Sequence, residues 1–279
     1  MRIHLTLIIL LLSVLTSTAQ SNSAQYYKDK ANEYIEKQDY ENAMKTLSNG
    51  INEMPDTVFL YDMRGTLLEA FGLYDEAIMD FKSGAEKARE NKVKSHLLAN
   101  LGGTKHKIRD FTGAYSDLIY SIKLDSTNID ALNNLAATCK EINKTSDAIK
   151  YLNQIIRIDS TYVPAYINLG FTYQGIEDHN NAILFFDKAI SLDPSEAFAY
   201  SNRSFSKLKT NNLKGAMNDI NTSLKLMASN SYAYKIRALI EIQNKNLDSA
   251  CDDLNKAIEL GYTEQYGKEV SELKSKYCK

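Results

Sequence analysis

Four histidines, three cysteines and a few adjacent carboxylates are the residues through which this chain could act on a substrate or hold a metal. Imidazoles and thiolates serve as bases, nucleophiles and zinc ligands, but that chemistry needs them to converge. His4 lies in an apolar N-terminal stretch, His96 and His106 are ten residues apart, and His179 stands in a turn, so no H-E-x-x-H or C-x-x-C spacing arises. The later histidines read as solvated surface residues. Asp252-Asp253 and the charged run from Glu86 to Lys94 fit the outward faces of helices, where water satisfies them. Gly102-Gly103 lacks the flanking sequence of a phosphate-cradling loop. The expectation is a protein that is not an enzyme, with no catalytic residue, no metal and no cofactor.

The elements around these residues are helical by composition. In 279 residues there are only 3 prolines and 12 glycines, and 44% hydrophobic with 24% charged residues suits a packed globular chain. A net charge of −2 gives no positive field for a phosphate backbone, so nucleic acid is not expected as a partner. Residues 1–19 differ in kind: Arg2, an apolar run from Leu5 to Leu15, then Ser17-Thr18-Ala19. That is the pattern of a secretory signal peptide cleaved after Ala19. The run is too short to span a bilayer, which takes about 20 residues. No cysteine precedes Cys139, so lipid attachment after cleavage is not expected, and the mature chain should lack a membrane anchor. Export to a periplasm or beyond the cell follows, with a bacterial envelope as the expected setting.

The body of the chain is periodic. Ala43 and Ala77 are 34 residues apart, and Ala114, Ala148, Ala182, Ala216 and Ala250 repeat at 34, with one step of 37 between Ala77 and Ala114. A large apolar residue follows four positions later each time: Leu47, Phe81, Leu118, Leu152, Phe186, Ile220 and Leu254. Upstream, Tyr27, Tyr61, Leu98, Leu132, Tyr166, Tyr200 and Tyr234 are followed four positions later by Ala31, Gly65, Gly102, Ala136, Gly170, Ser204 and Ala238. Spacing of four keeps both residues on one helix face, and a bulky side chain opposite a bare one lets two antiparallel helices interlock. Each unit is thus a helical hairpin that buries its apolar face only by stacking on its neighbours.

The fifth unit carries Tyr166, Leu169, Gly170, Tyr173, Ala182, Phe186, Ala189 and Pro194, and in this it resembles the tetratricopeptide repeat. The resemblance covers seven units, near 24–57, 58–94, 95–128, 129–162, 163–196, 197–230 and 231–263, within a solenoid of 20–263. It implies an all-α, right-handed superhelical solenoid whose inner wall is made by the first helix of each hairpin. Some units depart from the pattern, with Ser126, Ser160, Ala228 and Tyr262 at the closing proline. The stretch Arg89 to Lys94 holds the three extra residues and reads as an overlong second helix or a kink. Residues 264–279 are too few for a hairpin and should form one capping helix through Val270, Leu273 and Tyr277. Cys251, early in the last repeat's second helix, and Cys278, at the far end of an antiparallel cap, would then meet. In an oxidising compartment they form a disulfide, and otherwise they are two thiols. Cys139 falls at a core position.

If the first helices form the inner wall, two rows face a partner. Asn100, Asn134, Asn168 and Asn202 recur at 34-residue intervals as an amide ladder able to engage an extended backbone, or only to solvate the groove. Phe171, Phe205 and Leu239, also 34 apart, share their phase with Ile167, Phe198 and Tyr232, and form an apolar row that either packs between hairpins or meets a partner. Lys28 and Asn32 match two members of the basic clamp of some cytosolic relatives, but Met63 and His96 stand where its further members are expected. The function expected is a protein-interaction scaffold or adaptor of the cell envelope, binding a peptide or protein segment in the concave groove. The alternatives are a self-associating structural component of the envelope or a non-catalytic subunit of an enzyme complex.

Overall fold

The computed structural model describes residues 24–278, and the expected signal peptide lies outside the described residues. All regular secondary structure among these residues is helical. Contacts divide the chain into two compact units, one ending at Lys144 and the other running from Thr145. The first contains α1 (24–36), α2 (Tyr40–Glu53), α3 (Val58–Ala70), α4 (Tyr74–Lys87), α5 (Asn91–Lys107), α6 (Phe111–Leu124) and α7 (Ile129–Glu141). The second contains α8 (Thr145–Ile158), α9 (Val163–Gly175), α10 (His179–Leu192), α11 (Ala197–Lys209), α12 (Leu213–Leu226), α13 (Ser231–Gln243), α14 (Leu247–Glu259), α15 (Tyr262–Tyr266) and α16 (Glu269–Tyr277).

Hairpin packing follows from the alternation of bulky and bare positions. The seven periodic alanines are all 0% exposed, and the apolar residue four positions after each is at most 1% exposed. Phe186 lies so close over the backbone of Gly170 that a Cβ there would stand 2.5 Å from the ring, and Leu118 crowds Gly102 to the same distance. These glycines are fixed by the neighbouring helix, since helical φ needs no glycine.

Each hairpin turn is closed the same way. Gln38, Gly72, Arg109, Asn143, Glu177, Asn211 and Lys245 adopt positive φ, between 58° and 75°. The next residue's N–H then reaches back to a carbonyl five positions earlier, as from Asp178 to Tyr173 at 2.9 Å and from Asn212 to Lys207 at 2.8 Å. That next residue also starts the second helix. Asp39, Asp110, Asp178 and Asn212 accept from the N–H three positions on, satisfying a donor that the helix leaves open. Leu73 occupies the same place in the second hairpin and offers no acceptor. Leu73→Asp is therefore expected to raise stability by about 1 kcal/mol, read as a higher urea midpoint at unchanged slope. No gain would show that the α4 terminus is already satisfied.

Arginines tie first helices to second helices. Arg64, Arg203 and Arg237 each hold the aspartate 16 residues on through two hydrogen bonds: Asp80 at 2.7 and 2.7 Å, Asp219 at 2.8 and 2.6 Å, Asp253 at 2.8 and 2.7 Å. The remaining guanidinium nitrogen reaches 16 residues back to the preceding second helix, at Ser48, Asp187 and Asn221. Asp253 is 6% exposed, which corrects its reading as a solvated outward residue. An aspartate so far from water needs a partner that donates in a plane, which is what guanidinium supplies.

Two other boundaries differ from expectation. α4 stops at Lys87 and α5 starts at Asn91, so the extra residues lengthen the first helix of the third hairpin instead of the second helix before it. The C-terminal segment is two short helices, broken where Gly267 takes φ 91°.

Links between hairpins carry a second recurring device. Asp125, Asp159 and Asp193 each accept from the hydroxyl and the backbone N–H two residues on, at Thr127, Thr161 and Ser195. The hydroxyl bond first, then the backbone bond, holds these carboxyls below their usual value. A depressed folded pKa stabilises the fold above the unfolded value of 3.8, and that contribution is lost as the pH falls through the folded values. Urea midpoints should therefore drop as the pH falls below about 4, and Asp125→Asn/Asp159→Asn/Asp193→Asn should flatten that drop. An equal drop in the triple variant would assign acid sensitivity to other carboxylates.

Candidate partner-binding surfaces

First helices of successive hairpins lie side by side, α3 with α5 and α5 with α7 in the first unit, α9 with α11 and α11 with α13 in the second. Each unit thus has a face built from first helices, where the residues singled out from sequence are found.

In the first unit this face is polar and internally bonded. Asn100 donates to Asp62 Oδ1 at 3.0 Å, and His96 Nε2 stands 3.2 Å from Asp62 Oδ2. The bond to Asp62, then the charges of Asp62 and Asp130, raise the His96 pKa against the opposing effect of burial. Further along, Thr104 donates to Glu69 at 2.7 Å and Lys107 pairs with the same carboxylate at 3.0 Å. Asn134 reaches the Ala99 carbonyl at 3.4 Å. His106 is half-buried, 3.1 Å from Thr138 Oγ1 and edge-on to Phe111, which corrects its reading as a solvated residue. Burial lowers its pKa.

In the second unit the corresponding face is more apolar, most of all along α9. α9 carries no charged side chain at all. Phe171 and Phe198 are 39% and 41% exposed, so these two rings meet solvent. Phe171 stands edge-on to Phe186 beneath it, ring centres 5.9 Å apart. Ile167, Phe205, Tyr232 and Leu239 are half-buried and pack into the hairpin core, so these members of the row take the packing alternative. Phe205 is flanked by His179 at 5.9 Å, Lys209 at 5.3 Å and Lys235 at 5.8 Å. His179 is half-buried and also departs from the solvated reading, with burial lowering its pKa.

The amide ladder is not uniform. Asn168 is half-buried, but Asn202 is only 2% exposed. Its NH2 donates to the Phe198 carbonyl at 2.7 Å, and its Oδ1 has no partner. Gln174 from α9 covers this part of α11, donating to the Asn202 carbonyl and to Ser206 Oγ, both at 2.8 Å. The expected open row of four amides therefore loses its last member to packing.

Cys139 is fully buried in α7. Cys251 and Cys278 are joined as a disulfide with Cα atoms 5.7 Å apart. Among the described residues no three His, Cys, Asp or Glu side chains gather where they could hold a metal ion, and no helix is long and apolar enough to cross a membrane.

Compared with known families, residues 129–162 and 163–196 match a family described as the tetratricopeptide repeat. These two hairpins are similar to tetratricopeptide repeats. Solved structures extend the likeness of fold along the chain. A tetratricopeptide repeat protein from Parabacteroides merdae is 18% identical, with a TM-score of 0.73, over 91% of this chain and 99% of its own. MamA is 26% identical, with a TM-score of 0.53, over 63% of this chain and 94% of its own. YrrB, described as a tetratricopeptide repeat protein with an unusual peptide-binding site, is 14% identical, with a TM-score of 0.52, over 67% of this chain and 95% of its own. Comparison with curated proteins finds no match. The fold is thus the all-α tetratricopeptide solenoid type, and at these identities the likeness speaks of fold.

Proposed function

We propose that this chain is a non-catalytic scaffold, exported to a bacterial envelope, that holds a peptide or protein segment against its first-helix face. The observation that carries the reading is two exposed rings on first helices, Phe171 on the uncharged α9 and Phe198 at the start of α11. Burying the exposed two-fifths of each ring against a partner is worth about 2 kcal/mol apiece, from about 200 Å² per aromatic side chain at about 25 cal/mol per Å². Large apolar side chains left in water on a concave surface are the usual anchors of a bound segment. The peptide-binding site attributed to YrrB supports the same use of the fold. The apolar N-terminal run from Leu5 to Leu15 supports export.

Phe171→Ala/Phe198→Ala is the test, because truncating the half-buried Phe205 and Leu239 would also cost hairpin packing. The wild type should retain a protein from an envelope extract, and the double variant, with unchanged circular dichroism, should lose at least about 100-fold in affinity for it. Equal retention by both would move binding away from this face.

A further inference from the structure

We propose that Tyr262–Cys278 is a redox-latched cap: closed over the end of the last hairpin while Cys251–Cys278 is oxidised, and released when that bond is reduced. This does not depend on what the first-helix face binds. The surface it covers is apolar, since Ala238, Ala250, Leu254 and Ala257 are 0% exposed with Tyr262 and Val270 seated on them. Without this cover the apolar side of the hairpin would face water.

The cover holds weakly by itself. α15 has five residues and α16 nine, both shorter than a helix that stands alone in water. Gly261 and Gly267, with φ of 79° and 91°, break the chain on either side of α15 into jointed pieces. Non-covalent attachment rests on Tyr262, Val270 and Leu273, on the Tyr266 ring 6.0 Å from that of Tyr232, and on one carboxylate, Glu269, which pairs with Lys235 at 3.0 Å and accepts from Tyr262 at 3.2 Å. The far end is tied by the disulfide, 27 residues from its partner, and both cysteines are half-buried, within reach of a reductant. Opening would also take Glu269 from Lys235, an ammonium set 5.8 Å from the Phe205 ring and 5.4 Å from the Tyr232 ring. The C-terminal end of the apolar face would then present a cation between two aromatics.

The chemical step is a dithiol exchange. A thiolate of a dithiol reductant attacks one sulfur, the Cys251–Cys278 bond breaks and a mixed disulfide forms, and the second thiol displaces it. The reductant leaves as its own disulfide, and two electrons and two protons remain on Cys251 and Cys278 as thiols.

Amide hydrogen exchange of the chain from Gln20 onward, oxidised and after dithiothreitol, tests this, with Cys251→Ser/Cys278→Ser as a variant that needs no reductant. Both treatments should speed exchange in α15 and α16 by about 400-fold, the scale set by releasing a loop of this length, and leave α9 to α13 within about twofold. Unchanged protection of α15 and α16, with both thiols shown to be reduced, overturns the proposal. Equal acceleration through α9 to α13 overturns it too, because the bond would then staple the whole unit.

Discussion

Arg237→Ala is expected to cost about 3 kcal/mol of stability, more than the loss of any surface ion pair in the molecule. The substitution leaves Asp253, 6% exposed, without its two donors, and a buried carboxylate cannot recover them from water. It also cuts the link from α13 back to Asn221 on α12. Lys256→Ala is the comparison, since it breaks the Lys256–Glu259 pair, whose side chains are 40% and 67% exposed and screened by water, and should leave stability nearly unchanged. Replacing both partners, as Arg237→Met/Asp253→Leu, should restore most of the loss, because the penalty comes from the orphaned charge. Urea midpoints at constant slope give all three values. Equal costs for Arg237→Ala and Lys256→Ala would reduce the staple to a surface contact.

Phe186→Ala should be costlier still, about 3 to 5 kcal/mol, since the ring is 0% exposed and leaves a cavity between α9 and α10. Its value as a probe is in what it does to Gly170. By helix propensity alone Gly170→Ala should stabilise α9 by about 1 kcal/mol. The ring 2.5 Å from the new Cβ opposes this, and overpacking costs about 1 to 3 kcal/mol, so in the wild type the substitution should destabilise. In the Phe186→Ala background the obstacle is gone and the same substitution should stabilise. A reversal of sign is the expected result of the cycle. A stabilising Gly170→Ala in the wild type would mean that the hairpins have room to move apart.

The hairpins are legible in the sequence because the forces that make them are local. Ala182 and Phe186 declare their shared face by spacing alone, and Gly170 declares the matching gap. The arginine staples are not legible in that way. Arg237 and Asp253 lie on different helices 16 residues apart, and Asp252-Asp253 in one helix has the look of a wetted charged face. The recurrence of Arg203 with Asp219 and of Arg237 with Asp253, both at intervals of 34, was the available signal. Asn202 shows the opposite limit: its spacing places it on the first-helix face, but its burial depends on Gln174 folding across from α9. The stretch from Arg89 to Lys94 reads as an overlong second helix or a kink that absorbs the three extra residues, because its charges do not mark the start of a helix. In the structure the Asn91 side absorbs them, making α5 17 residues long.

The central claim is that a partner lies on the first-helix face of the second unit. Photo-crosslinking measures this most directly, with a benzophenone side chain placed in turn at Phe171 and Phe198 on that face and at Leu184, 62% exposed on α10. The account predicts a discrete adduct with a protein of the envelope extract from Phe171 and Phe198 and none from Leu184. An adduct from Leu184 alone would contradict it.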